Sequence, residues 1–445
     1  MPKKNYQLPV KYSLLNTILK SNKFIANPVK FISGRLADSG GTYCTSLGFN
    51  QKVIVTQNPE FINHVLKENH RNYHKSKLAT EKVSQFLGNG LLFSNGEYWL
   101  RQRRLIQPAF HKEKIQNLYG IVIKVIEDFV AEFPTGDAVD IYPIMHRLSF
   151  NIIIKSLFNI DLAQSTIDEL SNTLSSVQNF LIRDINQPIK RLSHFLNGTK
   201  KTELKKAKKV RGIFSGIIAG RREANKAYGD LLDMLLNSKY EDTGKYMTDD
   251  QVIDEALILI FAGHETTANT LSWMLYLIAS NPLAHQKLVA SINRETILES
   301  LSNEYLKATI NEGMRLYPAA WMTDRVALAD DKCGGFSFPK NTIIISFFFG
   351  LHHNENFWKD GAAFKPERFM DDAGLAKSKH FFPFGAGPRL CIGNNFAIME
   401  ISFILHHFLQ RYQVQATGQI PEMKPLITLR PDKVVLNITK KTLLK

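Results

Sequence analysis

The sequence predicts a mainly α protein with a small β region, and three observations carry that expectation. Apolar residues at helical spacing run through most of residues 113–230, through 249–280, and from Asn394 to Leu409. Alternating apolar stretches are short and few, at 42–56, 342–349, 426–429 and 434–438. No internal repeat, low-complexity tract or interdomain linker breaks the chain, so one domain is expected over 1–445, with 1–40 as a basic leader.

Composition narrows the class further. A chain of 445 residues can bury a large core. Its three cysteines (Cys44, Cys333, Cys391) are far apart and odd in number, which excludes a disulfide framework and suits a reducing, cytoplasmic setting. The net charge of +15 attracts acidic partners or anionic surfaces but says nothing about fold. No apolar run reaches the roughly 18 residues of a membrane-spanning helix, so no integral membrane anchor is expected. The leader carries Lys3, Lys4, Lys11, Lys20, Lys23, Lys30 and Arg35 before the first acid at Asp38, and reads as a solvated segment packed on the domain.

Taken in order, Thr42 to Thr56 reads as a hairpin turning near Gly48 and Asn50, followed by a helical pattern through Phe61, Val65 and Leu66. Residues 76–95 end in Gly88-Asn-Gly90 and Asn95-Gly96 and read as loop. Trp99 and Arg103 lie four apart on the next helix and share a face. Residues 113–230 read as helix almost throughout. The cluster Lys200, Lys201, Lys205, Lys206, Lys208 and Lys209 lacks the interleaved aromatics that nucleic-acid binding asks for, so it is a solvated helix face.

Thr248 with Gln251 predicts a capping box for a helix that Asn281-Pro282 stops after Ser280. That helix is about 48 Å long at 1.5 Å per residue, and is apolar nearly all round, hence buried. Midway, Gly263 weakens it and the Thr266 hydroxyl can bond the Ala262 carbonyl, which predicts a kink or widened turn. Further on, Glu312 and Arg315 share a helix face, and Arg368 supplies a second arginine.

The stretch Phe384-Gly-Ala-Gly-Pro-Arg-Leu-Cys391-Ile-Gly393 sets a cysteine in a glycine-rich loop that opens onto a helix from Asn394. Free N–H groups at that terminus favour an anion, so the thiol is expected to lose its proton readily, and thiolate is the form that binds metal. Gly385, Gly387 and Gly393 admit close backbone approach to a flat partner, and Arg389 adds a cation two residues from the sulfur.

The spacing Phe-x-x-Gly-x-Arg-x-Cys-x-Gly resembles the haem-binding loop of the cytochrome P-450 family at every fixed position, and the resemblance covers nearly the whole chain from about Tyr43. It implies a triangular helical prism around a buried haem b, with Cys391 as axial thiolate and Phe384, Gly387, Arg389 and Gly393 in its loop. Trp99 and Arg103 match the family's propionate-binding pair, and Arg325 and Lys75 fall where relatives place further propionate cations. Ala262-Gly-His-Glu-Thr resembles the oxygen-activating motif, in which Thr266 steadies oxygen, Glu265 connects a proton-carrying water chain, and Ala262 and Gly263 clear space. Glu312, Arg315 and Arg368 match a structural network that holds the Cys loop. Leu259, Ala262, Ala320, Trp321, Thr323 and Ile427 are expected along the substrate pocket, Trp321 either stacking on a ring or filling the core.

The activity so implied is that of a haem-thiolate monooxygenase using O2 and two electrons that originate from NAD(P)H. With no flavin or ferredoxin motif in the chain, those electrons are expected from a separate ferredoxin or flavodoxin with its reductase, docking on Arg101, Arg103, Arg104, Lys112 and Lys114. The protein is expected to be a monomer acting on a small molecule. The reading leans to oxidative O-demethylation of a methoxylated sugar or aromatic, with fatty-acid or terpenoid hydroxylation as the alternative. From other classes stand a haem-thiolate isomerase or peroxygenase, which usually alters the Glu-Thr pair, and a haem-binding protein without enzymatic activity.

Overall fold

The helix Asp249–Ser280 organises the computed structural model, which describes residues 5–46, 51–160, 162–186, 197–224, 226–371 and 374–442. Its capping box forms as the sequence predicts: the Thr248 hydroxyl accepts from the Gln251 N–H at 3.3 Å and the Gln251 side chain accepts from the Thr248 N–H at 2.9 Å. Leu257, Ile260, Leu271, Met274 and Ile278 join residues of Tyr119–Ala131, Tyr142–Phe158 and Asn394–Arg411 in one large apolar core. The backbone stays α-helical from end to end, so the widened turn expected at Gly263 is absent. The Thr266 hydroxyl does donate to the Ala262 carbonyl, at 2.7 Å, but one such bond leaves the helical ladder intact.

The β structure lies mainly in one six-stranded sheet. Its strands run Val10–Lys11, Thr42–Ser46, Lys52–Thr56, Ile343–Ser346, Thr323–Ala327 and Tyr73–His74 in spatial order. The predicted hairpin is the antiparallel pair of the second and third strands, with Cys44 opposite Ile54; its turn at Gly48 and Asn50 lies outside the described residues. The leader is built into this sheet: Val10 pairs in parallel with Tyr43, and Arg35 is buried with its guanidinium 4.3 Å from the ring centres of both Tyr12 and Phe31.

A second sheet departs from the sequence reading. Residues Gly136–Asp140, expected as helix, form a strand against Val435–Lys440, which also pairs with Tyr412–Ala416. Its few apolar residues gave no alternation to read, and the pairing comes from the distant C-terminal strand. Likewise Leu426 to Thr428 form the turn of a hairpin between Met423–Pro425 and Leu429–Pro431, and not a strand. The lysine-rich helix Thr199–Ala224 turns its charges outward as expected, with Lys206 on Glu203 and Lys209 on Glu169.

Candidate active site

The segment from Leu92 to Arg103 draws the predicted site residues together. Phe93 meets Phe261 of the central helix edge-on, ring centres 6.3 Å apart. One and two residues on, the Ser94 carbonyl and the Asn95 side chain accept from Arg389 of the Cys loop, at 2.8 and 2.9 Å. Trp99 lies under the Arg389 guanidinium at 4.1 Å, and Arg103 donates to the Leu390 carbonyl at 2.9 Å. Trp99 and Arg103 thus share a face and turn it to the Cys loop. The loop itself is closed by the Cys391 N–H bonding the Phe384 carbonyl at 3.0 Å, and it leads into Asn394–Arg411 as predicted.

Along the central helix, burial is broken in a regular way. Leu259, Ala262, Gly263 and Thr266 are partly open while Ile258, Ile260, Phe261, His264, Glu265 and Thr267 are buried. Spacings of three, four and seven put the open residues on one strip of helix. A methyl at Gly263 would stand 3.5 Å from Ile153, an ordinary contact, so the glycine is not forced by crowding. Glu265 points off the strip. Its carboxylate accepts from the Gln178 side chain of helix Gln164–Asn186, and its charge reaches Tyr142 and His146. His146 and His264 sit edge to face at 4.8 Å, both held near pKa 4 chiefly by burial.

The cations form an unbalanced group. Burial, then Arg325 and Arg389, lower the Lys75 ammonium to about 7, with Asp324 the opposing carboxylate. Burial, then Arg325 and Arg103, lower Arg389 to about 9. Lys75 spends one donor on the Leu92 carbonyl at 2.8 Å, Arg325 reaches the Asp324 carbonyl at 2.7 Å, and the buried Nη1 of Arg389 has no partner. Buried like charges of this kind call for an anion.

At the cysteine the outcome differs from the sequence expectation. Burial raises the Cys391 thiol above its ordinary pKa, with the Gly393 N–H and Arg103 pulling only partly against it. A cation bound at the sulfur would favour the thiolate. The Cys391 surface is nevertheless uncovered, and nothing approaches a Cβ built on Gly393 within 4 Å, so there is room for a planar group. Gly387 is required by a neighbour within the protein. Its φ is +68°, and a Cβ there would come 1.8 Å from the Leu66 carbonyl oxygen, so it admits the protein's own backbone.

The Glu312 network is complete. Arg315 grips both Glu312 oxygens at 2.7 and 2.9 Å, and Arg368 reaches Glu312 at 3.0 Å, with Glu312 and Arg315 fully buried. Arg315 Nη1 also holds the carbonyls of His352 and Gly361 at 2.7 and 2.8 Å. The His352 ring in turn accepts from the Phe382 N–H at 2.9 Å, two residues before the Cys loop. Sequence reasoning missed His352, since no local spacing marks a histidine that acts through a turn thirty residues away.

The pocket residues divide. Leu259 and Ala262 lie on the open strip, and Thr323 is half-buried, bonded to Arg325 at 3.2 Å. Ala320 and Ile427 are exposed. Trp321 is not a pocket residue: it is buried beside Val53, Val55 and Phe347, with its indole N–H on the Leu426 carbonyl at 3.0 Å. It anchors the turn that carries Ile427, and Asn269 braces the same turn through Thr428 at 3.0 Å.

A cysteine loop with its sulfur uncovered, crowded and partly buried cations short of counter-charge, and a helix with one open strip define the class of haem proteins. The family model for cytochrome P-450 matches residues 10–443, and the chain belongs to that family. It is 32% identical over 364 residues to a cyclooctat-9-en-7-ol 5-monooxygenase of Streptomyces melanosporofaciens, covering 80% of this chain and 79% of that one. It is also 32% identical over 397 residues to a cytokinin hydroxylase of Arabidopsis thaliana, covering 82% and 74%. The protein is accordingly an oxidoreductase of the haem b, O2-using kind, with electrons originating from NAD(P)H. No described helix is long and apolar enough to cross a membrane.

Proposed function

We propose that the protein hydroxylates a C–H bond of a small, largely apolar molecule, with Cys391 as the iron ligand and Lys75, Arg103, Arg325 and Arg389 as propionate partners. Haem, when bound, supplies oxygen activation. The chain's own part is positional. Glu312, Arg315 and His352 hold the Cys loop, and Thr266 presents a hydroxyl on the open strip. Glu265, buried and bonded to Gln178, is the acid nearest that hydroxyl in sequence and carries protons toward it.

The observation that carries the substrate reading is the strip itself: Leu259, Ala262, Gly263 and Thr266 offer one hydroxyl and no charge. A sugar's hydroxyls would find few partners there, and unpaired buried polar groups are costly. That favours hydroxylation of an apolar skeleton over O-demethylation of a methoxylated sugar; demethylation of an aromatic ether stays within the same reading. The named activities of the two relatives, both hydroxylating, support it.

Electrons come, on this reading, from an acidic ferredoxin or flavodoxin in the cytoplasm. Arg101 is engaged by Asp242 and Arg103 by the Cys loop, whereas Arg104, Lys112 and Lys114 are exposed. Reversing those three charges should slow reduction by such a partner; an unchanged rate removes the docking assignment.

The deciding experiment is the reduced, carbon-monoxide-bound spectrum of wild type and of Cys391→Ser. Thiolate ligation predicts a long-wavelength Soret band that the variant loses. A variant with the wild-type spectrum overturns the assignment. Titration with terpenoids, fatty acids and aromatic ethers, read as a low- to high-spin shift, then sorts the substrate class.

A further inference from the structure

Two adjacent carboxyls of the central helix reach out of the helix and take hold of the loop that carries Leu91, Leu92 and Phe93. Asp254 Oδ2 accepts from the Asn89 N–H at 2.8 Å, and Glu255 Oε2 accepts from the Leu91 N–H at 2.9 Å. Asp254 also pairs with Arg211, which reaches Asp250 at 3.3 Å, so helix Thr199–Ala224 is joined at the same point. The loop is shaped for this grip. A Cβ on Gly88 would stand 2.1 Å from Asp254 Oδ1, and one on Gly90 would stand 2.9 Å from Ile258 Cγ1 and 3.0 Å from Glu255 Oε2. Just beyond, Leu91 and Phe93 are buried, and Phe93 rests on Phe261, the residue before Ala262.

We propose that Asp254 and Glu255 are positioning residues for the substrate: they clamp the loop at Asn89 and Leu91 so that Phe93 stays seated on Phe261, the neighbour of Ala262 on the open strip, which sets how the substrate lies and how long it stays. This rests on the haem-protein reading above. Backbone amides make a good target for a carboxyl, because they fix the loop's register whatever the side chains. Glu255 is 1% exposed, its Oε1 has no partner, and burial pushes its carboxyl up to about 8. At neutral pH it therefore acts mostly as a neutral acid whose carbonyl accepts, and Gln can replace it in that role.

The test compares wild type with Asp254→Ala, Glu255→Ala, Glu255→Gln and Gly90→Ala as haem-loaded full chains. Amide hydrogen exchange should rise on the order of tenfold at Asn89 in Asp254→Ala and at Leu91 in Glu255→Ala, and stay near wild type at Leu91 in Glu255→Gln. Dissociation of 4-phenylimidazole, followed at the Soret band, should accelerate about as much in both alanine variants and in Gly90→Ala, whose carboxyls are intact. Unchanged exchange at both amides overturns the clamp. Faster exchange with an unchanged 4-phenylimidazole exit rate overturns its role toward substrate and leaves a structural tie. Wild type that shows no Soret band after haem loading overturns the haem-site reading itself, a failure the amide measurement tells apart.

Discussion

The Gln178 amide donates to the Glu265 carboxylate, tying helix Gln164–Asn186 to the acid next to Thr266. Both side chains are buried, so the bond is shielded from water. Loss of the acid should cost far more than loss of its tether. Glu265→Gln is expected to slow turnover on the order of a hundredfold, the scale of general acid catalysis. Gln178→Ala should change the rate less than about tenfold, and should do nothing further in the Glu265→Gln background. Turnover in H2O and D2O, with the ratio of product to hydrogen peroxide, checks this; equal slowing by Gln178→Ala in both backgrounds would show that Gln178 acts elsewhere.

The crowded cations make a prediction of opposite signs. Arg325→Met removes one charge from a group in which Lys75 and Arg389 already repel it. Without haem, the variant should melt no lower than wild type. With haem, it should release the cofactor on the order of tenfold faster, the loss of about one charge-assisted contact. Calorimetry of the apoprotein and transfer of haem to an acceptor protein measure the two arms. A variant that is less stable in both forms refutes the anion-binding role.

Arg315→Lys should fail to rescue. The guanidinium uses Nε and Nη2 on Glu312 while Nη1 serves His352 and Gly361. An ammonium cannot meet that fork, and a buried acid left underpaired costs roughly 3–5 kcal/mol. Expression of Arg315→Lys should therefore give protein of low haem content and lowered melting temperature. Haem content equal to wild type would separate the network from the Cys loop.

A buried carboxyl sets the alkaline side of the stability curve. Glu400, on the helix after Cys391, accepts from the Ser149 hydroxyl at 2.8 Å and is also bonded by Thr267, while burial raises its pKa from the ordinary 4.5 to about 8. Below 4.5 both folded and unfolded chains hold the proton, and the group's contribution is fully present. Between 4.5 and about 8 the unfolded chain has shed it and the folded chain has not, so stability falls as pH rises and the loss is complete above 8. Glu400→Gln should match wild type near pH 4 and exceed it near pH 9 by a difference on the order of a few kcal/mol. Denaturant melts across that range decide it; a constant difference at every pH would sink the assignment.

Much of the site could be read from local spacing. The Cys loop, the Ala262–Thr266 turn and the pair Glu312 and Arg315 are contiguous or lie on one helix face, where sequence separation fixes geometry. Trp321 shows the limit: its alternatives, ring stacking or core filling, were separated by the Leu426 carbonyl, more than a hundred residues distant. Gly387 shows another, since its missing side chain leaves room for the Leu66 carbonyl, a neighbour no local spacing names. The strand Gly136–Asp140 and the His352 link depend on partners that no local pattern names.

By itself the sequence determined the long capped helix, the loop that presents Cys391, and the inventory of cations, because capping, periodicity and glycine placement act within a few residues. Tertiary structure alone decided which of those cations crowd together, that Glu265 faces Gln178, and that Asp254 and Glu255 grip a loop some 160 residues earlier. The reason is physical: burial and through-space charge set those properties, and neither exists until the chain has closed on itself.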